Sequence, residues 1–275
     1  MDLTLTGLLL LSTCGLNGPT EHSITVPAYS WADRPTAWLA APGCLVRAEV
    51  WEIGAWGGAG SLASSEEWHE SRSGGLAAAG PLGSLYAGAG LGASSGGADT
   101  LAARAAGAWL VTGDPISFME GFFGPSVSLG AALEARSISE ADASAGELRA
   151  WVSGQVALFP TFCLGAGLTD FRMADWGDEG LVDADDGGGL ALSCTYIFGR
   201  ELRGHLGFGA SGMAVGADLR VSPVLSVQAG TDGEFWACGL SAGSGRITAD
   251  YGIRLNRSSA SHRTGIWFKL GESSW

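Results

Sequence analysis

The chain has 275 residues, of which 45 are Gly; it is 46% hydrophobic, only 16% charged, and carries a formal net charge of −13. Glycine at more than twice its usual share disfavours helices. The chain is too apolar for a disordered linker and lacks the triplet period of collagen. The acidic balance excludes a nucleic-acid binder, which must neutralise phosphates with Lys and Arg, and the low charge content is short of what a wholly water-bathed surface carries.

The N-terminus, Met1-Asp-Leu-Thr-Leu-Thr-Gly-Leu-Leu-Leu-Leu-Ser-Thr-Cys14, has the short apolar core of a secretory signal, although Asp2 stands where a positive residue is usual. We read residues 1–18 as a signal peptide, with Leu11-Ser-Thr-Cys14 also similar to a lipoprotein cleavage box. Residues 19–45 are irregular and Pro-containing, a segment placed to enter the interior of whatever follows. Cys14, Cys44, Cys163, Cys194 and Cys238 are odd in number and scattered, with no spacing suited to metal or redox chemistry; those in strands pack as small hydrophobes.

From Val46 onward, apolar alternation and turn residues succeed one another to the end. The pattern predicts strands over 46–57, 71–80, 82–92, 101–112, 124–136, 148–159, 162–169, 188–199, 201–209, 213–222, 224–230, 235–243, 246–255 and 262–271. The last two are clearest. Ile247, Ala249, Tyr251, Ile253 and Leu255 alternate with Arg246, Thr248, Asp250, Gly252 and Arg254, and Thr264, Ile266, Phe268 and Leu270 alternate with Arg263, Gly265, Trp267 and Lys269. Runs of about ten residues with one apolar and one polar face are long enough to cross a bilayer as tilted strands, apolar side to lipid. The expected fold is therefore all-β: a transmembrane antiparallel up-and-down β-barrel of about fourteen strands spanning 46–271, with 272–275 as a tail.

Loop parity agrees. With both ends in the periplasm, Gly80-Pro81, Pro160-Thr161, Ser222-Pro223 and Gly243-Ser-Gly245 make tight inner turns, although the inner connection from Gly113 to Phe123 is long for one. The segments 58–70, 93–100, 137–147, 170–187, 210–212, 231–234 and 256–261 become outer loops. Trp38, Trp51, Trp56, Trp68, Trp109, Trp151 and Trp236 fall near strand ends, where indoles favour the headgroup zone.

Three stretches resemble the PorV/PorQ family of outer-membrane barrels, distant relatives of the FadL-type transporters. Gln228-Ala229-Gly230 is similar to the family's "RAG", Asp250-Tyr251-Gly252 to its "DYA", and His262-Arg263-Thr264 to its final "HRI" strand. Ala41-Pro42-Gly43-Cys44-Leu45 resembles its "NPAGL" box, with Ala41 in place of the usual Asn. The resemblance implies a lumen-plugging role around Ala41, Pro42, Gly43 and Leu45, and a role either in passing small hydrophobic molecules or as an accessory of protein secretion. Arg263, Gly265, Phe268 and Leu270 also resemble the last-strand pattern that barrel-assembly machinery recognises.

Asp218, Arg220, Gln228, Arg246, Asp250, Arg254, Arg263 and Lys269 are expected on the lumen side, either paired with one another or lining a wet channel. The loop 170–187 holds seven acids against one Arg; Asp183, Asp185 and Asp186 offer carboxylates to calcium, but their spacing is not that of an EF-hand, and a solvated loop is the simpler reading. His22, His69, His205 and His262 have no nucleophile elbow near them, so no enzyme activity and no cofactor are expected. The expected setting is the bacterial outer membrane, with its lipid, the assembly machinery, and secretion components or hydrophobic small molecules as partners. A purely structural or surface-adhesive barrel and an exported soluble β-sandwich are the alternatives, the rows of outward Leu, Ile and Phe counting against the sandwich.

Overall fold

A short lumen segment and a closed wall of strands make up the described architecture. The computed structural model describes residues 39, 41–63, 68–96, 98–113, 125–159, 161–178, 181, 189–199, 201–209, 212–256 and 259–271. The signal peptide, residues 19–38, the Asp183, Asp185 and Asp186 cluster and the tail 272–275 lie outside them.

The wall has fourteen strands: β1 (Trp51–Ala63), β2 (Trp68–Leu82), β3 (Leu85–Ser95), β4 (Asp99–Thr112), β5 (Ser126–Glu140), β6 (Ala143–Phe159), β7 (Phe162–Gly177), β8 (Gly189–Phe198), β9 (Leu202–Gly209), β10 (Gly212–Ser222), β11 (Leu225–Thr231), β12 (Trp236–Ser244), β13 (Ile247–Leu255) and β14 (Ser259–Leu270). Each is antiparallel to its sequence neighbours, and β1 pairs with β14 from Trp51↔Leu270 to Leu62↔Ser259, so the sheet closes without an edge.

Every strand alternates as a one-layer wall between two environments must. Leu129, Leu133, Leu168, Leu192, Phe208, Leu219, Leu240, Ile266 and Phe268 point outward and are exposed, while their neighbours Ser128, Glu134, Gly167, Ser193, Gly207, Asp218, Gly239 and Trp267 are buried inside. Apolar outside and polar inside reverses a soluble sandwich and suits a wall facing hydrocarbon. The exported soluble sandwich is thereby overturned.

One rim carries tight hairpins, while the long connection expected from Gly113 to Phe123 on the same side lies outside the described residues after Gly113. Gly83, at φ 65°, occupies the left-handed region in the Gly83–Ser84 turn between β2 and β3. The turn expected at Gly80-Pro81 is displaced to it: Pro81 belongs to β2, paired with Tyr86. The opposite rim is uneven. β5, β6 and β7 run for 15, 17 and 16 residues, against 8 for β9 and 7 for β11. The expected outer loop 137–147 is in fact strand around a two-residue turn at Ala141-Asp142, and β7 continues through Gly177 into the acidic segment. The strand expected from Val46 starts instead at Trp51, because Pro42–Arg47 forms a 3-10 turn, η1, inside the barrel.

Such a wall makes a mid-strand charge on the outer face expensive, about 2–4 kcal/mol for Arg at the bilayer midplane. Ile266→Arg is expected to cut sharply the fraction of protein that migrates as the compact, unheated species in electrophoresis, while Lys269→Ala on the inner face leaves it near wild type. Equal losses from both variants would show the faces to be reversed.

Candidate functional site

The lumen is the site, and two structures fill its β2–β7 side. The first is η1 with Leu39 before it. Pro42 sits at the first helical position, where its missing N–H costs nothing, and Cys44 N–H donates to the Ala41 carbonyl at 2.9 Å. Leu39, Ala41, Pro42, Gly43, Cys44, Leu45 and Val46 are all buried. Side chains of the wall satisfy the segment's backbone: Gly43 N–H donates to Ser153 Oγ at 2.8 Å, and Ser128 Oγ donates to the Gly43 carbonyl at 3.1 Å. Gln155 Nε2 donates to Cys44 Sγ at 2.7 Å, and Arg104 Nη1 donates to the Leu39 carbonyl. Gly130 is the seat. A Cβ there would lie 2.5 Å from Gly43 N and Pro42 C, atoms of a backbone that cannot swing aside.

The apolar side of the segment completes a cluster. Leu39, Leu45 and Val46 pack with Trp56, Trp267, Ala77, Ala79, Ala102 and Ala108, with Tyr86 and Leu110 at its margin. The Trp56 and Trp267 rings stack with centroids 6.1 Å apart and planes 18° from parallel. Trp56 and Trp151 therefore do not sit at the membrane interface as their positions near strand ends suggested; both are buried inside, whereas Trp109 and Trp236 are exposed outside.

The second structure is a ladder of charge across β4–β7. Arg104 Nε donates to Glu134 Oε2 at 2.7 Å, and Arg136 Nε bonds the other Glu134 oxygen. Arg136 Nη1 reaches Glu147 Oε1 at 3.1 Å, and Arg149 lies 2.8 Å from Glu147 Oε2 and 2.9 Å from Asp170 Oδ2. The three guanidinium groups meet three carboxylates, so the row is neutral, as buried charge must be. Arg104 also stacks on Trp151, 3.9 Å from the ring centroid. Asp170 joins the row because β7 bulges there: Thr169 and Asp170 together oppose Trp151, and Asp170 takes a φ of 55°. Glu147, expected on an outer loop, is thus a buried member of the wall. Sequence reading missed this ladder because it ended β5 at Arg136 and began β6 at Leu148. The visible signal was Glu134-x-Arg136 and Glu147-x-Arg149, pairs on one face of an otherwise apolar alternation.

The lumen residues named from the sequence are spread over β10–β14 and the rim beside them. Asp218, Gln228, Asp250 and Arg263 are buried in the wall. Ser241 Oγ donates to Asp250, Arg254 pairs with Asp232 at 3.4 Å and lies over Phe235, and Lys269 pairs with Glu52 at 3.5 Å. Arg220 and Arg246 are exposed at the tight-turn rim, Arg220 Nη2 donating to the Pro223 carbonyl at 3.3 Å. In β14, Arg263 and Gly265 occupy inward positions, and Phe268 and Leu270 outward ones. His262 is exposed and stacks on Tyr251, while His205 Nδ1 lies 2.8 Å from Thr195 Oγ1.

A closed wall with an apolar exterior and a segment folded into its lumen defines a fourteen-stranded transmembrane antiparallel β-barrel. Among solved structures, that fold is shared with FadL-type hydrocarbon channels. The CymD monoaromatic hydrocarbon channel aligns with a TM-score of 0.66 and 11% identity over 94% of this chain and 99% of its own. The Pseudomonas putida toluene transporter TodX aligns at 0.67 and 10% over 91% and 97%, and a Pseudomonas aeruginosa FadL homologue at 0.62 and 8% over 93% and 98%. No family model and no curated sequence matches the chain.

Two variants separate the two lumen structures. Gly130→Ala is expected to unseat the segment and expose the buried Leu45 to added chymotrypsin in detergent, with the barrel still resisting denaturation when unheated. Glu134→Ala leaves Arg104 and Arg136 without their shared carboxylate, a loss of about 3–5 kcal/mol. It is expected to lower the temperature at which the barrel loses its compact mobility on gels, a shift that Gly130→Ala does not produce.

Proposed function

We propose that the protein is a bacterial outer-membrane channel that passes small hydrophobic molecules, with the Leu39–Val46 segment as its plug. The observation that carries this reading is the apolar compartment inside the barrel, where Trp56, Trp267, Tyr86 and the alanines of β2 and β4 hold Leu39, Leu45 and Val46. Such a surface binds apolar solutes by the same burial that now holds the plug. The likeness of over nine-tenths of the chain to a monoaromatic hydrocarbon channel and a toluene transporter supports it. The tight-turn rim then lies in the periplasm, and the uneven rim with the Ala141-Asp142 turn lies outside.

The secretion-accessory role implied by the PorV/PorQ resemblance remains the second reading, and the two separate in a transport measurement. Full-length protein reconstituted in liposomes is expected to speed entry of toluene several-fold over protein-free liposomes, with little entry of glucose. Absence of any difference for toluene contradicts the channel reading and leaves the accessory or structural roles.

A further inference from the structure

Among the described residues, one polar atom of the apolar compartment is left without a partner. Trp267 is 2% exposed, and its Nε1–H has no hydrogen-bond partner. Leaving such a donor buried costs free energy that a hydrogen bond would recover. Leu39, Leu45 and Val46 of the plug belong to the same apolar cluster and carry no side-chain acceptor.

The inward positions around Trp267 are set by strand register. Gly54 of β1 lies opposite it, beneath the indole ring, and Thr248 of β13 lies opposite on the other side. Diagonally placed are Glu52 and Trp56 on β1 and Asp250 on β13, and Lys269 follows two residues along β14. Glu52 and Asp250 thus lie near the indole, with Lys269 paired to Glu52 at 3.5 Å and Arg246 at the rim, its carbonyl accepting the Lys269 N–H at 2.9 Å. An anionic ligand loses its hydration on entering so apolar a compartment, a cost that a neutral ligand is spared.

Resting on the channel reading above, we infer that Trp267 is a specificity-determining residue for neutral aromatic compounds bearing one hydrogen-bond acceptor, such as aryl ketones. The aromatic body replaces Leu39, Leu45 and Val46 against Trp56 and the β2–β4 wall, with offset ring stacking available to it. The carbonyl oxygen accepts the Trp267 N–H that the plug leaves unbonded. Carboxylates of the same size are disfavoured by the loss of their hydration.

The test uses the full-length protein in liposomes, with acetophenone and ethylbenzene as a matched pair and benzoate as the anion. Hydrophobicity alone favours ethylbenzene, so a preference for the ketone reports the indole N–H. With entry rates normalised to the partition of each compound into protein-free liposomes, wild type is expected to favour acetophenone about tenfold over ethylbenzene, with benzoate slowest. Trp267→Phe keeps the ring and removes the donor, and is expected to bring the two neutral compounds within about twofold while ethylbenzene entry is unchanged. Equal handling of the two by wild type, or a preference that survives in Trp267→Phe, overturns the inference and spares the channel. Failure of both compounds to enter overturns the channel reading itself. The wild-type comparison decides the matter even if the variant does not insert.

Discussion

The pairing of the first strand with the last is the interaction on which the rest depends. In hydrocarbon, an unpaired strand edge leaves a row of N–H and C=O groups with no water to bond, each costing several kcal/mol. The ladder from Trp51↔Leu270 to Leu62↔Ser259 removes that edge. It ties residues some two hundred positions apart and places the last strand, with Phe268 and Leu270 outward, as the piece that completes the wall. Closure also fixes which side chains share the lumen: Trp56 of β1 and Trp267 of β14 stack because the two ends of the chain meet.

Inside the closed wall, space is limited and every polar group needs a partner. The β4–β7 side answers with a self-neutralising row of three arginines and three acids, and the lumen segment docks beside it through hydrogen bonds from Ser128, Gln155 and Arg104. The two are joined at one point, Arg104, which bonds Glu134 and the Leu39 carbonyl together. The segment thus presents its backbone to polar groups of the wall and its Leu and Val side chains to the tryptophans. This division lets a short 3-10 turn dock in the barrel through polar and apolar contacts at once.

Much of the fold was legible in the sequence because a strand between lipid and lumen must alternate with period two, and the runs ending at Leu255 and Leu270 do so without a break. The count of fourteen followed, and every expected strand overlaps one in the structure. What was not legible has physical reasons. Strands rising past the apolar belt lose their outward hydrophobics, so Ser137–Glu140 and Ala143–Glu147 read as loop although they remain paired. The bulge at Asp170 shifts the alternation of β7, hiding that its carboxylate turns inward. Leu45-Val46 reads as the start of a strand, but its apolar side chains face the lumen cluster rather than lipid. Indoles such as Trp56 and Trp151 were read from the general interfacial preference of tryptophan, when their shared parity with inward residues was the better guide. The pairs Glu134/Arg136 and Glu147/Arg149 were in plain view; joining them required the register between β5 and β6, which only the folded wall supplies.

A one-layer wall of this kind requires lipid on one side and the lumen on the other, and adjacent residues of one strand test this most directly. Leu240 is exposed on the outer face of β12, and Ser241 beside it bonds the buried Asp250. Nitroxide labels at Leu240→Cys and Ser241→Cys, in separate full-length proteins reconstituted in bilayers, report collisions with lipid-dissolved oxygen or with a water-soluble paramagnetic complex. The label at 240 is expected to collide chiefly with oxygen and hardly with the polar complex, and the label at 241 to lose that oxygen preference. Strong and equal access of the polar complex to both positions would mean that the apolar face of the barrel does not lie in lipid.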